Sequence, residues 1–322
     1  MSNLPKVNLD EPRWDQNTYV GRVKYFFTTT NPLNILATPK QLEEAKRIVK
    51  AYKAGEKLPK DMTMKEVYKA KDLYDSAFHP DTGEKMILIG RMSAQVPMNM
   101  VITGCMMTFY KSNLAVVFWQ WFNQSFNAIV NFTNRSGDSK LTTAQIFTSY
   151  LGATGGAVCT ALYLNRLASQ APSILGRFVP FTAVAAANSI NIPLMRINEL
   201  RNGVQVFDEN GNKLGHSKKA AQTGIISVLV SRIVMASPSM IFTPIIMNYL
   251  EHKDILLKKY PRSAAPLQTL ICGFFLTFAT PMACALFSQK SKKKVSSLEI
   301  ELQKRIQEIN PSIEFVYFNK GL

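Results

Sequence analysis

Hydrophobic residues are concentrated in the middle of the chain, in long runs that contain no charged side chain. The six runs cover 92–110, 112–134, 141–165, 178–195, 233–250 and 263–289. A helix that crosses a bilayer needs about 20 largely apolar residues, and several of the runs reach that length. The pattern therefore predicts an all-α, polytopic integral membrane protein, and it argues against a wholly water-soluble fold and against an enzyme with a single membrane anchor.

Five segments are predicted to be transmembrane helices, and they divide the chain into three parts. The segments are 92–110, 141–165, 178–195, about 225–250 and 263–289. Each contains or adjoins proline or polar residues, which lipid tolerates only where neighbouring helices or a wet cavity satisfy the backbone. The predicted parts are a soluble amphipathic N-terminal region (1–91), a membrane helical bundle (92–289) and a basic tail with a short amphipathic helix (290–322).

The N-terminal region is predicted to contain two short amphipathic helices. Thr38 with Gln41, and Thr63 with Glu66, have the spacing of a capping box, and an apolar stripe follows each pair. No cleavable targeting signal is expected, because the first long apolar run begins only after residue 90 and acidic residues precede it. Targeting to an organelle would then depend on internal segments.

The run 112–134 differs from the others because it is rich in amides. At about 100° per residue, six amides lie on one stripe of a helix, opposite an arc of aromatic and aliphatic side chains. They are Gln120, Asn123, Gln124, Asn127, Asn131 and Asn134. Amides donate and accept hydrogen bonds, so the stripe suits a polar solute without net charge, but it equally suits contacts between helices or an interfacial helix. We predict an additional amide-rich amphipathic helix and leave open whether it crosses the membrane.

The candidate substrate-binding residues are five amides and one arginine of the bundle. They are Asn123, Asn127, Asn131, Asn188, Asn191 and Arg232. Arg232 separates two apolar stretches, 220–231 and 233–250, and an ionisable residue at membrane depth is a functional candidate. The alternative is that the span begins after Arg232 and that its guanidinium extends to the headgroups.

A second group of polar residues precedes and opens the first predicted span. The segment HPDTGE occupies 79–84, and Pro80 prevents a helix from continuing through it. The simpler interpretation is a turn that starts a helix. The alternative is a gate or polar mouth, for which the candidates are His79, Asp81, Gln95 and Asn99.

Composition argues against several other classes of function. The chain has 38 Lys and Arg against 22 Asp and Glu, a net charge of +16, but the basic residues flank apolar runs, as membrane topology and lipid headgroups require. We therefore expect no nucleic-acid partner. The four cysteines and three histidines have no metal-ligand spacing, and no nucleophile–base pair or phosphate-binding glycine loop is evident. Enzyme activity, a metal and a cofactor are accordingly not expected.

Several motifs resemble those of the sideroflexin family, from one end of the chain to the other. They are EPRWD at 11–15, HPDTGE at 79–84, RMSAQVPMN at 91–99, NQSFNA at 123–128, NIPLMR at 191–196 and VYFNKGL at 316–322. The sequence most resembles the branch that carries serine across the mitochondrial inner membrane for one-carbon metabolism. The resemblance implies a multi-pass carrier that has no cleaved presequence, meets the import machinery through internal targeting, and is linked to iron and haem homeostasis. It does not identify residues that contact a substrate.

The residues and the resemblance together favour a mitochondrial transporter of serine, with alanine, glycine and cysteine as further substrates to consider. The expected partners are a small neutral amino acid and membrane lipid. The alternative hypothesis is an inner-membrane scaffold or assembly factor that affects iron, haem or respiratory-complex homeostasis.

Overall fold

The described residues of the N-terminal region form three α-helices. They are α1 (Tyr19–Thr29), α2 (Pro39–Ala54) and α3 (Met64–Ala77), in a computed structural model that describes residues 7–56, 58–59, 62–79, 82–109, 112–134, 142–168, 176–252 and 261–321. The two predicted capping boxes are confirmed, because Thr38 and Gln41 cap α2 reciprocally and Thr63 and Glu66 cap α3. Helix α1 was not predicted from the sequence. Helices α2 and α3 pack through small and aliphatic side chains such as Ala45, Val49 and Ala70.

Each of the six charge-free runs contains a helix. The helices are α4 (Gln95–Phe109), α5 (Asn113–Thr133), α6 (Thr143–Ala168), α7 (Val179–Met195), α9 (Lys218–His252) and α10 (Ala264–Cys284), with the short α8 (Ile197–Asn202) after α7. Helices α9 and α10 have 35 and 21 residues and are long and apolar enough to cross a membrane by length and composition. The other four are shorter or less apolar, so five crossings remain a prediction.

Helices α6 and α7 approach each other closely at two glycines. A Cβ atom at Gly156 would lie 2.2 Å from Cδ1 of Ile190, and one at Gly152 would lie 2.8 Å from Cδ1 of Leu194. Glycines spaced by four residues lie on one face of a helix, so they let a neighbouring backbone come near. This contact fixes the position of α7, which contributes one wall of the amide cavity described below.

The fold is mostly helical, as predicted, but it is not all-α, because the chain also contains a four-stranded antiparallel sheet. Its strands are β1 (Val204–Phe207), β2 (Lys213–Ser217), β3 (Lys290–Lys294) and β4 (Phe315–Asn319), in the order β2-β1-β4-β3. A tight turn joins β1 to β2, where Gly211 has a φ of +87° that favours glycine. The hairpin β1–β2 thus lies within 92–289, the range predicted to form the membrane bundle. It nevertheless pairs with β4, a strand of the tail.

Strand β3 is difficult to recognise because its sequence is KSKKK. The ammonium of Lys292 lies 3.8 Å from the centroid of the Phe315 ring, and that of Lys290 lies 4.8 Å from the centroid of the Tyr317 ring. Both rings belong to β4, so cation–π contacts stabilise the pairing of the two strands. Lysines are also common on edge strands, where they prevent pairing with another chain.

Helix α11 (Ile300–Ile309) covers one face of the sheet and confirms the amphipathic helix predicted in the tail. We call the sheet together with α11 the α/β layer. Its apolar core consists of Val206, Leu214, Ala220, Val295, Leu298, Leu302, Ile306, Val316 and Phe318. The layer therefore has a core of its own, distinct from the core of the bundle.

The α/β layer lies at the end of the bundle where α9 begins and α10 ends. Strand β2 ends at Ser217 and α9 begins at the next residue, while β3 follows α10 after a short connection. The carboxylate of Glu299 accepts hydrogen bonds from the Ser217 hydroxyl and the Lys219 N–H, both at 2.8 Å. Burial alone would raise the pKa of Glu299, but these hydrogen bonds hold it below its ordinary value. The layer thus caps the first turn of α9.

Helix α1 contacts the same end of the bundle. The guanidinium of Arg22 donates to the carbonyl oxygen of Ala285 at 2.8 Å, and the Tyr19 hydroxyl donates to that of Met282 at 3.2 Å. Carbonyl groups at a helix C-terminus have no intrahelical donor, so these bonds satisfy the last turn of α10. The N-terminal region and the α/β layer consequently meet the bundle at one end.

We expect the substitution Gly156→Leu to destabilise the protein, because the new side chain would force α6 and α7 apart. Overpacking of this kind costs about 1–3 kcal/mol, which would lower the Tm of the purified protein. Gly155→Leu is the matched control, since no atom lies within 4 Å of a Cβ at Gly155. Equal losses of Tm in the two variants would contradict the proposed importance of the α6–α7 contact.

Candidate functional site

Helix α5 has its polar side facing inward and its aromatic side facing outward. Gln124 and Asn123 are only 1% and 6% exposed, whereas Phe118 and Trp121 are 47% and 46% exposed. The predicted amide stripe therefore faces the interior of the bundle. A helix on the surface of a water-soluble protein has the opposite arrangement.

Six uncharged polar side chains and one arginine meet in a cavity between the helices, which we call the amide cavity. Its polar lining comes from Asn99, Thr103, Asn123, Asn127, Asn188, Ser239 and Arg232. Helices α4, α5, α7 and α9 all contribute to this lining. The cavity encloses about 520 Å³ of empty space, its opening included.

The amide cavity offers hydrogen-bonding groups that the protein itself does not use. Nδ2 of Asn123 has no hydrogen-bond partner among the described residues, although the residue is only 6% exposed. A buried polar group without a partner costs about 1–3 kcal/mol, and a polar molecule in the cavity would remove that cost. None of the described residues that line the cavity is acidic.

Arg232 lies between the amide cavity and a second cavity, and it lines both of them. Its guanidinium donates to Oδ1 of Asn131 on α5 at 3.3 Å. The side chain is therefore directed across the bundle toward α5. Asn131 holds the guanidinium in place without neutralising its charge.

The second cavity carries two positive charges, and we call it the basic cavity. Its polar lining comes from Gln95, Asn134, Ser231, Arg232, Thr280 and Lys320. It encloses about 530 Å³ of empty space, its opening included. Nε2 of Gln95 and Oγ of Ser231 have no hydrogen-bond partner in the part of the chain that the structure describes. Burial lowers the pKa of the Lys320 ammonium to about 8, and the charges of Arg196 and Arg232 act in the same direction.

The two cavities are stacked along the axis of the bundle. On α4, Gln95 lines the basic cavity and Asn99 and Thr103 line the amide cavity; on α10, Thr280 lines the first and Leu276 the second. A helix rises 1.5 Å per residue, so a step of four residues corresponds to about 6 Å. The basic cavity lies nearer the α/β layer, which supplies Lys320, and the amide cavity lies about one to two helical turns deeper.

The structure brings most of the predicted site residues together. Asn99, Asn123, Asn127, Asn188 and Arg232 line the amide cavity, and Gln95 lines the basic cavity. Asn131 contacts Arg232. Asn191 is buried but lines neither cavity, although it lies only three residues from Asn188 on α7.

The predicted gate at HPDTGE gains no support from the cavities. His79 lines neither of them; its Nδ1 accepts a hydrogen bond from the Thr82 N–H at 3.3 Å, and its carbonyl accepts one from the Gly83 N–H at 2.9 Å. These bonds belong to a turn, as in the simpler interpretation. The helix that this turn was expected to start is limited to a 3₁₀ turn at Leu88–Gly90. Asp81 lies outside the described residues.

Sequence reasoning missed Lys320, Ser231, Ser239 and Thr103. The three hydroxyl residues carry no local signal, because serine and threonine are common within apolar helices. Lys320 belongs to the segment VYFNKGL, but nothing in its neighbourhood along the chain connects it with Arg232. The described residues contain no cluster of His, Cys, Asp or Glu that could hold a metal ion.

Comparison with known proteins identifies the family. The family model for sideroflexins matches residues 8–322. Sideroflexin-1-3 of Drosophila melanogaster is 59% identical over 322 residues, with 100% of both chains covered. Sideroflexin-1 of Homo sapiens is 60% identical over 318 residues, covering 99% of this chain and 98% of its own, and Sideroflexin-3 of Mus musculus is 58% identical over 323 residues, with 100% of each chain covered. No solved structure matches the chain. Since the family model and these relatives cover essentially its whole length, the chain belongs to the sideroflexin family.

Proposed function

We propose that this sideroflexin transports a small neutral amino acid across the mitochondrial inner membrane and supplies serine to one-carbon metabolism. Serine is the first substrate, and alanine, glycine and cysteine are further ones. The observation that carries the proposal is the amide cavity, in which uncharged hydrogen-bonding groups surround a single guanidinium. A protein that only anchors partners in a membrane has no need of such an interior.

The outer surface of the bundle supports a membrane location. Large apolar side chains are exposed on five helices, among them Val101 on α4, Phe147 on α6, Phe242 on α9 and Phe274 on α10, in addition to the aromatic face of α5. Contiguous apolar patches of this kind mark contact with lipid or with another protein. We keep α4, α6, α7, α9 and α10, the five segments predicted from the sequence, as the proposed membrane crossings, with α5 as the helix that carries much of the polar lining.

A zwitterion fits the lining of the amide cavity. Arginine binds carboxylates through a planar fork of donors, so Arg232 would bind the α-carboxylate. Amide and hydroxyl oxygens accept hydrogen bonds, so Asn127 and Ser239 would bind the ammonium or the hydroxyl of serine. A fixed carboxylate in the lining would instead form an ion pair with Arg232 and exclude the substrate.

Pro244 within α9 leaves one backbone carbonyl near the same cavity without its helical donor. Pro244 has no N–H to donate to the carbonyl of Met240, and Met240 lines the amide cavity. Carbonyl groups released in this way coordinate cationic groups in many transporters with broken helices. A wall of this kind suits a substrate that carries an ammonium group.

We expect the double substitution Asn123→Leu and Asn127→Leu to reduce serine uptake to background. Leucine has the same number and branching of heavy atoms as asparagine, but the two substitutions remove two amide groups from the cavity wall and leave no polar group behind at either position. The measurement is uptake of labelled serine into proteoliposomes, with insertion and Tm determined for the same preparations.

Asn113→Leu is the control for this test, because Asn113 also belongs to α5 but is exposed and lines neither cavity. It should transport serine at the rate of the unchanged protein. Normal uptake by the double variant would refute the assignment of the amide cavity and would favour the scaffold hypothesis.

The substitution Asn131→Asp tests the role of Arg232 with a change of charge and almost no change of shape. The new carboxylate would lie about as near the guanidinium as the amide oxygen does now, at 3.3 Å, and would form a permanent ion pair. We expect serine uptake to fall at least about tenfold, since ion-paired and charge-assisted contacts are the strong class of hydrogen bonds.

The Tm of Asn131→Asp should be unchanged or higher, because the pair neutralises a buried charge. Asn113→Asp is the matched control and should leave uptake unchanged. Undiminished uptake by Asn131→Asp would show that Arg232 does not bind the carboxylate.

A further inference from the structure

The basic cavity contains two cationic side chains and no acidic one. Arg232 comes from the middle of α9, and Lys320 comes from the residue that follows β4. None of the described residues in its lining is Asp or Glu. Two like charges in a shared, largely enclosed space repel each other unless an anion lies between them.

The backbone of Lys320 is held firmly in this position. Its N–H donates to the carbonyl of Gln289 at 2.8 Å, and its carbonyl accepts from Nη1 of Arg196 at 2.7 Å. A Cβ atom at Gly224 on α9 would lie 3.3 Å from the same carbonyl oxygen. Lys320 is 3% exposed, so its burial is a consequence of the way the α/β layer attaches to the bundle.

Two neutral groups beside the cations are also available to a ligand. Nε2 of Gln95 and Oγ of Ser231 lack hydrogen-bond partners within the described ranges, and the two residues are 4% and 6% exposed. Oε1 of Gln95 already accepts from Nδ2 of Asn99 at 3.3 Å, which leaves the Gln95 N–H group to donate. A donor amide, a hydroxyl and two cations together form a site for an anion.

We infer that the basic cavity is a second solute site, in which Lys320 and Arg232 bind the carboxylate of the amino acid. The inference rests on the proposed function. Because Arg232 also lines the amide cavity, a solute could move from one cavity to the other while its carboxylate stays on the same guanidinium. This continuity favours a small carboxylate over the phosphate of a lipid, which would gain nothing from access to the deeper cavity. Lys320 is then a substrate-binding residue supplied by the α/β layer.

The variants Lys320→Met and Lys320→Arg test the inference on the purified full chain in phosphatidylcholine vesicles. The probes are serine, 3-hydroxypropionate, which lacks the ammonium of serine, and ethanolamine, which lacks its carboxylate. We expect Lys320→Met to weaken binding of the first two by at least about tenfold, because contacts with charged groups are strong. Binding of ethanolamine should not change, and Lys320→Arg should retain most of the affinity.

Lys304→Met is the matched control, since Lys304 lies on α11 and is exposed; it should bind all three probes normally. Lys320→Met replaces a buried cation by an apolar side chain of similar length, so its Tm should not fall. If Lys320→Met binds 3-hydroxypropionate as tightly as the unchanged protein does, the inference is wrong.

The pH dependence of binding provides a second readout. The charged groups around Lys320 are Arg22 from α1, Arg196 after α7, and Arg232 from α9, with the Cys284 thiol from α10. Burial lowers the pKa of Lys320 to about 8, so the ammonium is charged below that pH and is lost above it. Affinity for 3-hydroxypropionate should therefore fall between about pH 7 and about pH 9 and should stay constant in Lys320→Arg. A flat profile in the unchanged protein would contradict the inference.

The same measurements separate this inference from the proposed function. If serine is transported but Lys320→Met changes no affinity, the second site does not exist and the proposed function stands. If serine is neither bound nor transported while 3-hydroxypropionate binds in a Lys320-dependent manner, the proposed function fails and the anion site stands as a carboxylate site. If cardiolipin in the vesicles displaces 3-hydroxypropionate, the site binds a lipid phosphate and the inference is overturned.

Discussion

The interior of the bundle contains a guanidinium that no carboxylate among the described residues of the cavity linings neutralises, and the surrounding arrangement depends on that charge. An isolated charge in an apolar interior is strongly unfavourable, so Arg232 requires polar neighbours. Amides meet the requirement because their dipoles solvate a cation without neutralising its charge. An acidic neighbour would stabilise Arg232 more, but the ion pair would leave nothing for a substrate to bind. The amides of α5 therefore stabilise the buried guanidinium of Arg232 and still leave it able to bind a substrate.

The direction of the Arg232 side chain follows from its contacts. A residue that extends to lipid headgroups lies at the end of a span and points away from the bundle. Arg232 instead lies inside the continuous helix α9, bonds to Asn131 across the bundle, and lines two cavities. Its neighbours Ser231 and Met235 line the basic cavity as well. These contacts favour the functional interpretation of Arg232 over the interfacial one.

Helical periodicity predicted the part of the candidate site that lies on α5. The amides of α5 share one stripe of the helix, so they all face the same direction. The same reasoning was less successful on α7, where Asn188 lines the amide cavity and Asn191 does not, because only a narrow part of the circumference of α7 faces that cavity. The sheet could not be predicted in this way. Strand β1 pairs with β4, which lies far along the chain, and β3 consists largely of lysines, two of which contact the rings of β4. Lys320 was missed for the same reason: its role depends on where the layer attaches.

The attachment of the α/β layer also changes how the scaffold hypothesis can be examined. That hypothesis predicts a function that survives loss of the amides but not loss of residues 1–75 or 296–310. The core of the layer, however, includes Leu302 and Ile306 of α11 together with Val316 and Phe318 of β4, and β4 positions Lys320 against α9. Deleting residues 296–310 would remove the support of β4 and would disturb the basic cavity, so loss of function would follow under either hypothesis. Only substitutions within the cavities, which leave the layer intact, distinguish a carrier from a scaffold.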